Sequence, residues 1–128
     1  MNTKKFLLLS ILFVVTDLFS QTNIILSDRG TIKSVDYSEQ LDSTKRPRSA
    51  KDFFRNILKI KECDSFIINK TVLLDDGDET YNQYYNDIKV EGAGYTLHFD
   101  KNGFLQYAHG NYLNIDNINT VPSISYHI

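Results

Sequence analysis

The sequence YNQYYNDIKVEGAGYTLHFDKNGFLQYAHG, which runs from Tyr81 to Gly110, carries the clearest structural signal in the chain. It predicts two β-hairpins in series, because runs of alternating polar and apolar residues are interrupted by residues that favour turns. In the first hairpin, Asn86 and Asp87 both tolerate the positive φ that a two-residue type I′ turn requires. This turn pairs Tyr85 with Ile88.

Continuing the same register pairs Gln83 with Val90 and Tyr81 with Gly92. The side chains then divide cleanly between the two faces of the hairpin, and this separation supports the register. One face carries Tyr81, Gln83, Tyr85, Ile88 and Val90, and the other carries Asn82, Tyr84, Lys89 and Glu91.

The second hairpin turns within residues 100–103, Asp-Lys-Asn-Gly. A two-residue Asn-Gly turn would pair Leu97 with Ala108 and would mix the two faces. A three-residue loop with Gly103 in the left-handed position gathers the apolar side chains on one face, so we predict this loop. The predicted pairs are Phe99 with Leu105, Leu97 with Tyr107, and Tyr95 with His109.

The strand between the two turns changes parity. Its inward positions are even-numbered at Ile88 and Val90 but odd-numbered at Tyr95, Leu97 and Phe99. Because side chains alternate strictly along a strand, the change requires an inserted residue. The sequence therefore predicts a β-bulge within residues 92–94, Gly-Ala-Gly.

The pattern of these hairpins resembles the fungalysin/thermolysin propeptide domain. Two positions depart from the usual form. Asp87 stands where glycine is usual, and the short, uncharged Thr80 stands where the family has a polar side chain that is often basic. The resemblance covers roughly residue 31 to the C-terminus. The residues that carry it are Tyr81, Gln83, Tyr84, Tyr85, Asn86, Ile88, Val90, Gly92, Tyr95, Leu97, His98, Asn102, Gly103 and Gly110.

The resemblance implies a role and a fold. Such domains stand near the N-terminus of secreted thermolysin-like zinc metalloprotease precursors, where they assist folding of the protease and mask it until cleavage. It implies an α+β domain with one helix packed on an antiparallel β-meander, in a cystatin-like arrangement. The implied partner is the cognate metalloprotease catalytic domain, and no cofactor is implied.

The first 20 residues are typical of a secretory signal peptide. Lys4 and Lys5 precede an apolar run from Phe6 to Val15, and the small Ser20 favours cleavage before Gln21. A membrane anchor would need about 20 apolar residues, and residue 17, an aspartate, ends this run too early. We therefore expect a secreted protein without a membrane anchor.

Composition excludes some partners and some sources of stability. The chain has 14 basic and 16 acidic residues and a formal net charge of −2, so no electrostatic reason favours nucleic acid or an anionic membrane. Cys63 is the only cysteine, so stability must come from the core rather than from a disulfide. We expect Cys63 to be partly buried.

Upstream of the hairpins, Thr31–Val35 predicts a short strand, and the polar residues 36–48 predict a mobile connection. Ser49 is placed as a helix N-cap, and the helix should end near Lys61. Its apolar face consists of Phe53, Phe54, Ile57 and Leu58. Asp64–Leu74 predicts another strand, whose expected core residues are Phe66, Ile68 and Val72.

These elements predict four regions. They are a signal peptide (1–20), an N-terminal strand with a polar linker (21–48), a propeptide-like α+β domain (49–113), and a linker that begins a following helix (114–128). Ser125 is the predicted N-cap of that helix, and at most one turn follows it. The sequence therefore looks like the front of a longer precursor, with an ordinary frayed terminus as the alternative.

No catalytic constellation is present in the sequence. A zinc protease of this type needs His-Glu-x-x-His, and none of His98, His109 and His127 is followed by Glu. The predicted register places His98 and His109 on opposite faces, so we expect no metal site there. The acidic residues around Gly77 (Asp75, Asp76, Asp78 and Glu79) lack the spacing of a calcium loop and predict a solvated turn.

The sequence is also compatible with a second function. A free-standing secreted binding or protease-inhibitor module would present its sheet and exposed aromatic residues to a partner. Tyr84 and Tyr112 are the aromatic residues that we expect to be exposed. Neither function requires a catalytic, cofactor-binding or metal-binding residue.

Overall fold

The computed structural model describes residues 21–70, 76–116, 118 and 120. The predicted signal peptide, the end of the predicted strand at residues 71–74, and the Ser125 cap lie outside these residues. Within these residues there are six strands: β1 (Asn23–Leu26), β2 (Ile32–Asp36), β3 (Asp64–Ile68), β4 (Asp78–Tyr85), β5 (Ile88–Phe99) and β6 (Leu105–Asn111). They form one antiparallel sheet in the order β1-β2-β6-β5-β4-β3, accompanied by a 3-10 helix (Ser43–Lys45) and a short helical segment that begins at residue 50, consistent with the α+β prediction.

The helix begins at the predicted cap. The Ser49 hydroxyl accepts a hydrogen bond from the Asp52 amide at 3.1 Å. The α-helix α1 (Ala50–Asp52) continues directly as a π-helix (Phe53–Ile57), in which the Leu58 amide donates to the Phe53 carbonyl. The helix ends at Ile57 rather than near Lys61, since the backbone turns into the left-handed region soon afterwards.

The core lies between this helical segment and one face of the sheet. Phe53 is fully buried, and its ring meets those of Phe54 and Tyr95 edge to face at 5.4 and 5.6 Å. The predicted apolar face of the helix is confirmed, with Ile57 partly buried at its margin. The buried core consists of Val35, Tyr37, Phe53, Phe54, Leu58, Tyr95, Leu97, Leu105, Ala108 and Tyr112.

The first hairpin has the predicted turn but not the predicted register beyond it. Asn86 and Asp87 have φ of 44° and 65°, and Tyr85 pairs with Ile88 as expected. The pairs of Gln83 with Val90 and of Tyr81 with Gly92 are wrong. Tyr84 pairs with Lys89, but Asn82 pairs with Gly94 and Tyr81 with Tyr95, because β5 carries extra residues opposite Gln83. This irregularity overlaps the predicted bulge, and Gly92 has φ of 73°.

The second hairpin also departs from the predicted register after one pair. Phe99 pairs with Leu105, and Gly103 has φ of 82°, as predicted. The pairs of Leu97 with Tyr107 and of Tyr95 with His109 are wrong, because Leu97 pairs with Ala108 and Tyr95 with Gly110. One extra residue in β6, Gln106, shifts the register between these pairs.

Residues 36–48 hold this bulge in place. The Leu105 amide donates to the Pro47 carbonyl at 2.8 Å, and Arg46 Nε donates to the Leu105 carbonyl at 2.9 Å. The Tyr37 amide donates to the Gln106 carbonyl at 2.8 Å. The prediction that this segment is a mobile connection is therefore wrong, since its backbone replaces the hydrogen bonds that the bulge removes from the sheet.

Several apolar residues lie outside the core, contrary to expectation. Ile88 is 51% exposed and Ile68 is 41% exposed, since both lie at strand ends away from the core cluster. Strand β1, which the sequence did not predict, adds three exposed aliphatic side chains at one edge of the sheet. Cys63 is partly buried and free, as predicted.

Candidate functional site

A buried polar network lies where the chain leaves the sheet. Gln83 is fully buried, and its side-chain amide makes two hydrogen bonds to the backbone of Leu113. Gln83 Nε2 donates to the Leu113 carbonyl at 2.7 Å, and the Leu113 amide donates to Gln83 Oε1 at 2.9 Å. The glutamine side chain thus forms the same pair of hydrogen bonds that a neighbouring strand residue would form, and these bonds hold the backbone that follows β6 in place.

Asp64 and Tyr112 complete this network. The Tyr112 hydroxyl donates to Asp64 Oδ2 at 2.6 Å, and Gln83 Nε2 lies 3.3 Å from the other carboxylate oxygen. Burial and the hydrogen bond to Asp64 raise the pKa of Tyr112. The prediction that Tyr112 is exposed is wrong, because its ring packs against Phe66 while its hydroxyl satisfies the buried carboxylate.

We call Asp64, Gln83, Tyr112 and Leu113 the exit network. Every member with a polar side chain is buried, and no fully buried side-chain nitrogen or oxygen among the described residues lacks a partner. A fully satisfied polar network of this kind holds a unique geometry, since any displacement would leave a buried group without its hydrogen bond. Its structural result is a fixed direction for the chain after residue 113.

The other tyrosines of the motif also contribute to the fold. Tyr81 packs edge to face on Phe54 at 5.2 Å and donates its hydroxyl to Glu79 at 2.6 Å. Tyr85 is buried, whereas Tyr84 is half-buried on the opposite face of β4. Val90 is half-buried beside the irregularity in β5.

Gly110 is required by close packing of the backbone. A Cβ atom there would lie 2.1 Å from the Gly94 carbonyl oxygen and 2.7 Å from Tyr95 Cα. Both neighbours are backbone atoms, so a side chain could be accommodated only by separating β5 from β6. The motif glycine therefore belongs to the sheet and not to a ligand site.

The opposite face of the sheet, which we call the outer face, brings two histidines together. His98 Nε2 and His109 Nε2 are 3.1 Å apart, and the rings are within 15° of parallel. The prediction that they lie on opposite faces is wrong. The bulge at Gln106 reverses the parity of β6, so His109 and Tyr107 point to the same side as His98.

Asp78 orients the pair. Its Oδ1 lies 2.9 Å from His98 Nδ1, and a carboxylate can only accept, so His98 carries its proton on Nδ1. The Nε2 lone pair of His98 then accepts from His109 Nε2–H. Partial desolvation of the otherwise exposed ring and the neighbouring His98 lower the pKa of His109, which favours its neutral form.

The acidic residues of the β4 turn do not converge. Asp78 bonds to His98, whereas Glu79 accepts from Tyr81, so the two carboxylates serve different partners. Asp75 lies outside the described residues. Within the described ranges, no group of three or more His, Cys, Asp or Glu side chains is placed to hold a metal ion.

Sequence reasoning named Gln83 and His98 but missed their partners. The signal for the exit network was present, because Gln83 is a polar residue in the apolar face of a strand and therefore needs a buried partner. Asp64 and Tyr112 are far from it in sequence and gave no local signal. Asp78 could be linked to His98 only through the observed pairing of β4 with β5.

Comparison with known families gives a match over residues 65–112 to the family model described as Fungalysin/Thermolysin Propeptide Motif. The matched range runs from β3 to Tyr112 and includes every motif residue from Tyr81 to Gly110. Searches of curated proteins and of solved structures gave no significant match. Among the described residues, no helix has the length and apolar character that a membrane span would need.

Proposed function

We propose, starting from the fungalysin/thermolysin propeptide motif at residues 65–112, that this chain is a non-catalytic propeptide module of a secreted thermolysin-like metalloprotease. The module would assist the folding of the cognate catalytic domain and inhibit it until cleavage. The family match carries this proposal. Propeptides with this motif belong to secreted proteases, which also supports an extracellular location.

The exit network supports this role. A propeptide must place the chain that follows it, and here the motif residue Gln83 holds the backbone at Leu113 directly after the last strand. The buried Asp64 and Tyr112 secure the same point from the other side. A fixed exit direction would present whatever follows in a defined orientation toward the protease.

Binding energy alone is sufficient for both proposed activities. A module that binds the folded catalytic domain, and not its unfolded form, stabilises the folded form by mass action. Covalent linkage makes that binding intramolecular, with an effective concentration commonly in the millimolar range for a short flexible connection. The same contact would block the protease until cleavage releases it.

The accessible surface restricts where the protease could bind. The helical segment covers one face of the sheet, so contacts would use the outer face, the loops or the strand edges. Within the described part of the chain, β1 and β3 each pair on one side only. Exposed aliphatic residues lie on both of these strands, namely Ile24, Ile25, Leu26, Ile67 and Ile68.

These edges also favour the second candidate function, a free-standing secreted binding or inhibitor module. An extended segment of a partner could add to a free strand edge through main-chain hydrogen bonds. Such a module would inhibit a mature protease without helping it to fold. Folding assistance is therefore the property that separates the two functions.

The test uses the purified chain and a thermolysin-like protease from the same organism. We expect the chain to slow peptide hydrolysis by the mature protease and to raise the yield of active enzyme when the denatured catalytic domain is refolded with it. Gln83→Leu should weaken both effects, because it releases the exit network. Asn82→Ala, a change at the adjacent outward position, leaves the exit network intact, so comparing the two variants separates loss of this network from loss of a contact on the outer face.

Each outcome separates the candidates. Inhibition without improved refolding would favour the free-standing module. Absence of binding at high micromolar concentration would refute the propeptide function for this chain. The chain itself should hydrolyse neither casein nor short peptides, with or without added Zn²⁺, and chelator-sensitive activity that stays with it through several columns would overturn the non-catalytic assignment.

A further inference from the structure

We propose that His98 and His109 form a binding site for one divalent late transition-metal ion, Zn²⁺ or Cu²⁺, on the outer face of the sheet. The two Nε2 atoms lie 3.1 Å apart on neighbouring strands. Two nitrogens bound to one tetrahedral Zn²⁺ at about 2.0–2.1 Å would be roughly 3.3–3.4 Å apart. The observed separation therefore needs little adjustment to accept an ion.

The second nitrogen of His98 already has the partner that a metal ligand requires. Its Nδ1 donates to Asp78 Oδ1 at 2.9 Å, so Nε2 is the nitrogen whose lone pair could bind a metal ion. Histidines that bind metals almost always donate their other ring N–H to a carboxylate, a carbonyl or water. Asp78 is thus a positioning residue for His98, and its carboxylate would add negative charge near the cation.

The pair can open to receive the ion. The proton on Nε2 of neutral His109 now links the two Nε2 atoms. Metal binding would require this proton to move, by exchange with solvent, to Nδ1 of the same ring, so that the imidazole stays neutral and its Nε2 gains a lone pair. The His109 side chain is exposed, and the ring torsion of histidine has a broad energy minimum, so its lone pair can turn toward a shared ion. The backbone does not have to move.

The two imidazole ligands determine which metal ions the site would prefer. Imidazole nitrogen suits zinc, copper and nickel, whereas calcium and magnesium prefer oxygen ligands. With two protein ligands, water or a group from a partner would fill the remaining positions, so the ion would exchange readily and would not support the fold. Tyr107 packs beside both rings, with ring centroids 5.7 Å from that of His98 and 5.4 Å from that of His109, and so forms one side of the site.

The experiment titrates the tag-free chain with Zn²⁺ and with Cu²⁺ by isothermal calorimetry and by NMR of the histidine ring protons. We expect one ion per chain, tighter binding of Cu²⁺ than of Zn²⁺, and no binding of Ca²⁺. The ring signals of His98 and His109 should shift together. His127→Gln is the matched control, since it removes a histidine outside the pair and should leave the affinity unchanged.

Three variants test the ligand assignment. His98→Gln and His109→Gln should each abolish the binding event, and Asp78→Asn should weaken it about 10- to 100-fold. Far-UV circular dichroism checks that each variant keeps its fold. Retention of the ion by the His98→Gln/His109→Gln double variant, or loss of binding in His127→Gln, would overturn the proposal. Unchanged metal affinity in Asp78→Asn would overturn the part of the proposal that makes Asp78 a positioning residue for His98.

Discussion

The two faces of the sheet differ in the environment of their polar residues. On the face covered by the helical segment, which we call the inner face, Gln83 is fully buried between a carboxylate and a backbone amide, and each of its side-chain polar atoms has a hydrogen-bond partner. On the outer face, His98 and His109 meet in solvent-accessible surroundings with Asp78 as their only ionic partner among the described residues. The Gln83 group is buried within the fold, whereas the histidine pair lies at the surface.

The residues of the propeptide-like sequence motif therefore have two different roles. Gln83, Tyr85 and Gly110 belong to the inner face or to tight backbone packing, so their role is to build and orient the domain. His98 belongs to the outer face, where its side chain is 33% exposed and lies outside the buried core. Substitutions on the two faces should therefore differ in cost, and the following predictions measure that difference.

The largest effect is expected for Phe53→Ala. Phe53 is fully buried beneath the helical segment and contacts Phe54 and Tyr95, so truncation leaves a cavity in the centre of the core. The free energy of unfolding should fall by about 3–5 kcal/mol in urea denaturation. Tyr107→Ala, an aromatic truncation on the outer face, should cost less than about 1 kcal/mol. Equal losses would contradict the distinction between the faces.

Gln83→Leu should have the next largest effect. Leucine fills much of the same volume but leaves the amide and carbonyl of Leu113 without their partner. We expect a loss of about 2–3 kcal/mol, together with faster amide hydrogen exchange at Leu113. Asn82→Ala, on the outer side of the same strand, should stay within about 0.5 kcal/mol. Unchanged exchange at Leu113 would show that the exit network does not hold the chain.

Alkaline pH should act on the inner face through its tyrosines. Burial raises the pKa of Tyr37 from 10.0 to about 12. Because the folded state binds this proton more tightly, the stabilising contribution is complete below about pH 10 and is lost as the pH rises toward 12. Tyr37→Phe should therefore flatten the fall in unfolding free energy over this range, by about 1–2 kcal/mol at its upper end. An unchanged pH profile would exclude Tyr37 as a contributor.

The smallest effect is expected for His109→Gln. The side chain is exposed, and its hydrogen bond joins two groups that water could also satisfy. The free energy of unfolding at neutral pH should change by no more than about 0.5 kcal/mol in urea denaturation. A loss of more than about 1 kcal/mol would mean that the histidine pair is part of the structural framework and not an accessory to it.

Signals that depend on a few adjacent residues were predicted correctly. The Asn86-Asp87 turn, the left-handed Gly103 and the Ser49 cap all follow from local backbone preferences. The apolar face of the helix was also predicted, although its π-helical geometry was not. Such features can be predicted because the hydrogen-bonding and steric terms that favour them are contained within one turn of chain.

Features that depend on distant partners were not predictable. The Pro47 carbonyl accepts a hydrogen bond from the Leu105 amide, and the Tyr37 amide donates one to the Gln106 carbonyl. These contacts accompany the bulge that reverses which face the later residues of β6 present. The reversal brings His109 beside His98, so an error of one residue in the register hid the histidine pair. For the same reason, the buried partners of Gln83 could not be named in advance.

The sequence thus specified the turns, the cap and the identity of the motif, because each of these depends on backbone torsions or residue order over a short span. Tertiary packing specified which face each strand presents beyond its turn. That choice depends on which backbone groups the segment at residues 36–48 satisfies, and those hydrogen bonds join residues 58 to 69 positions apart. The inner network and the outer histidine pair are both consequences of that packing.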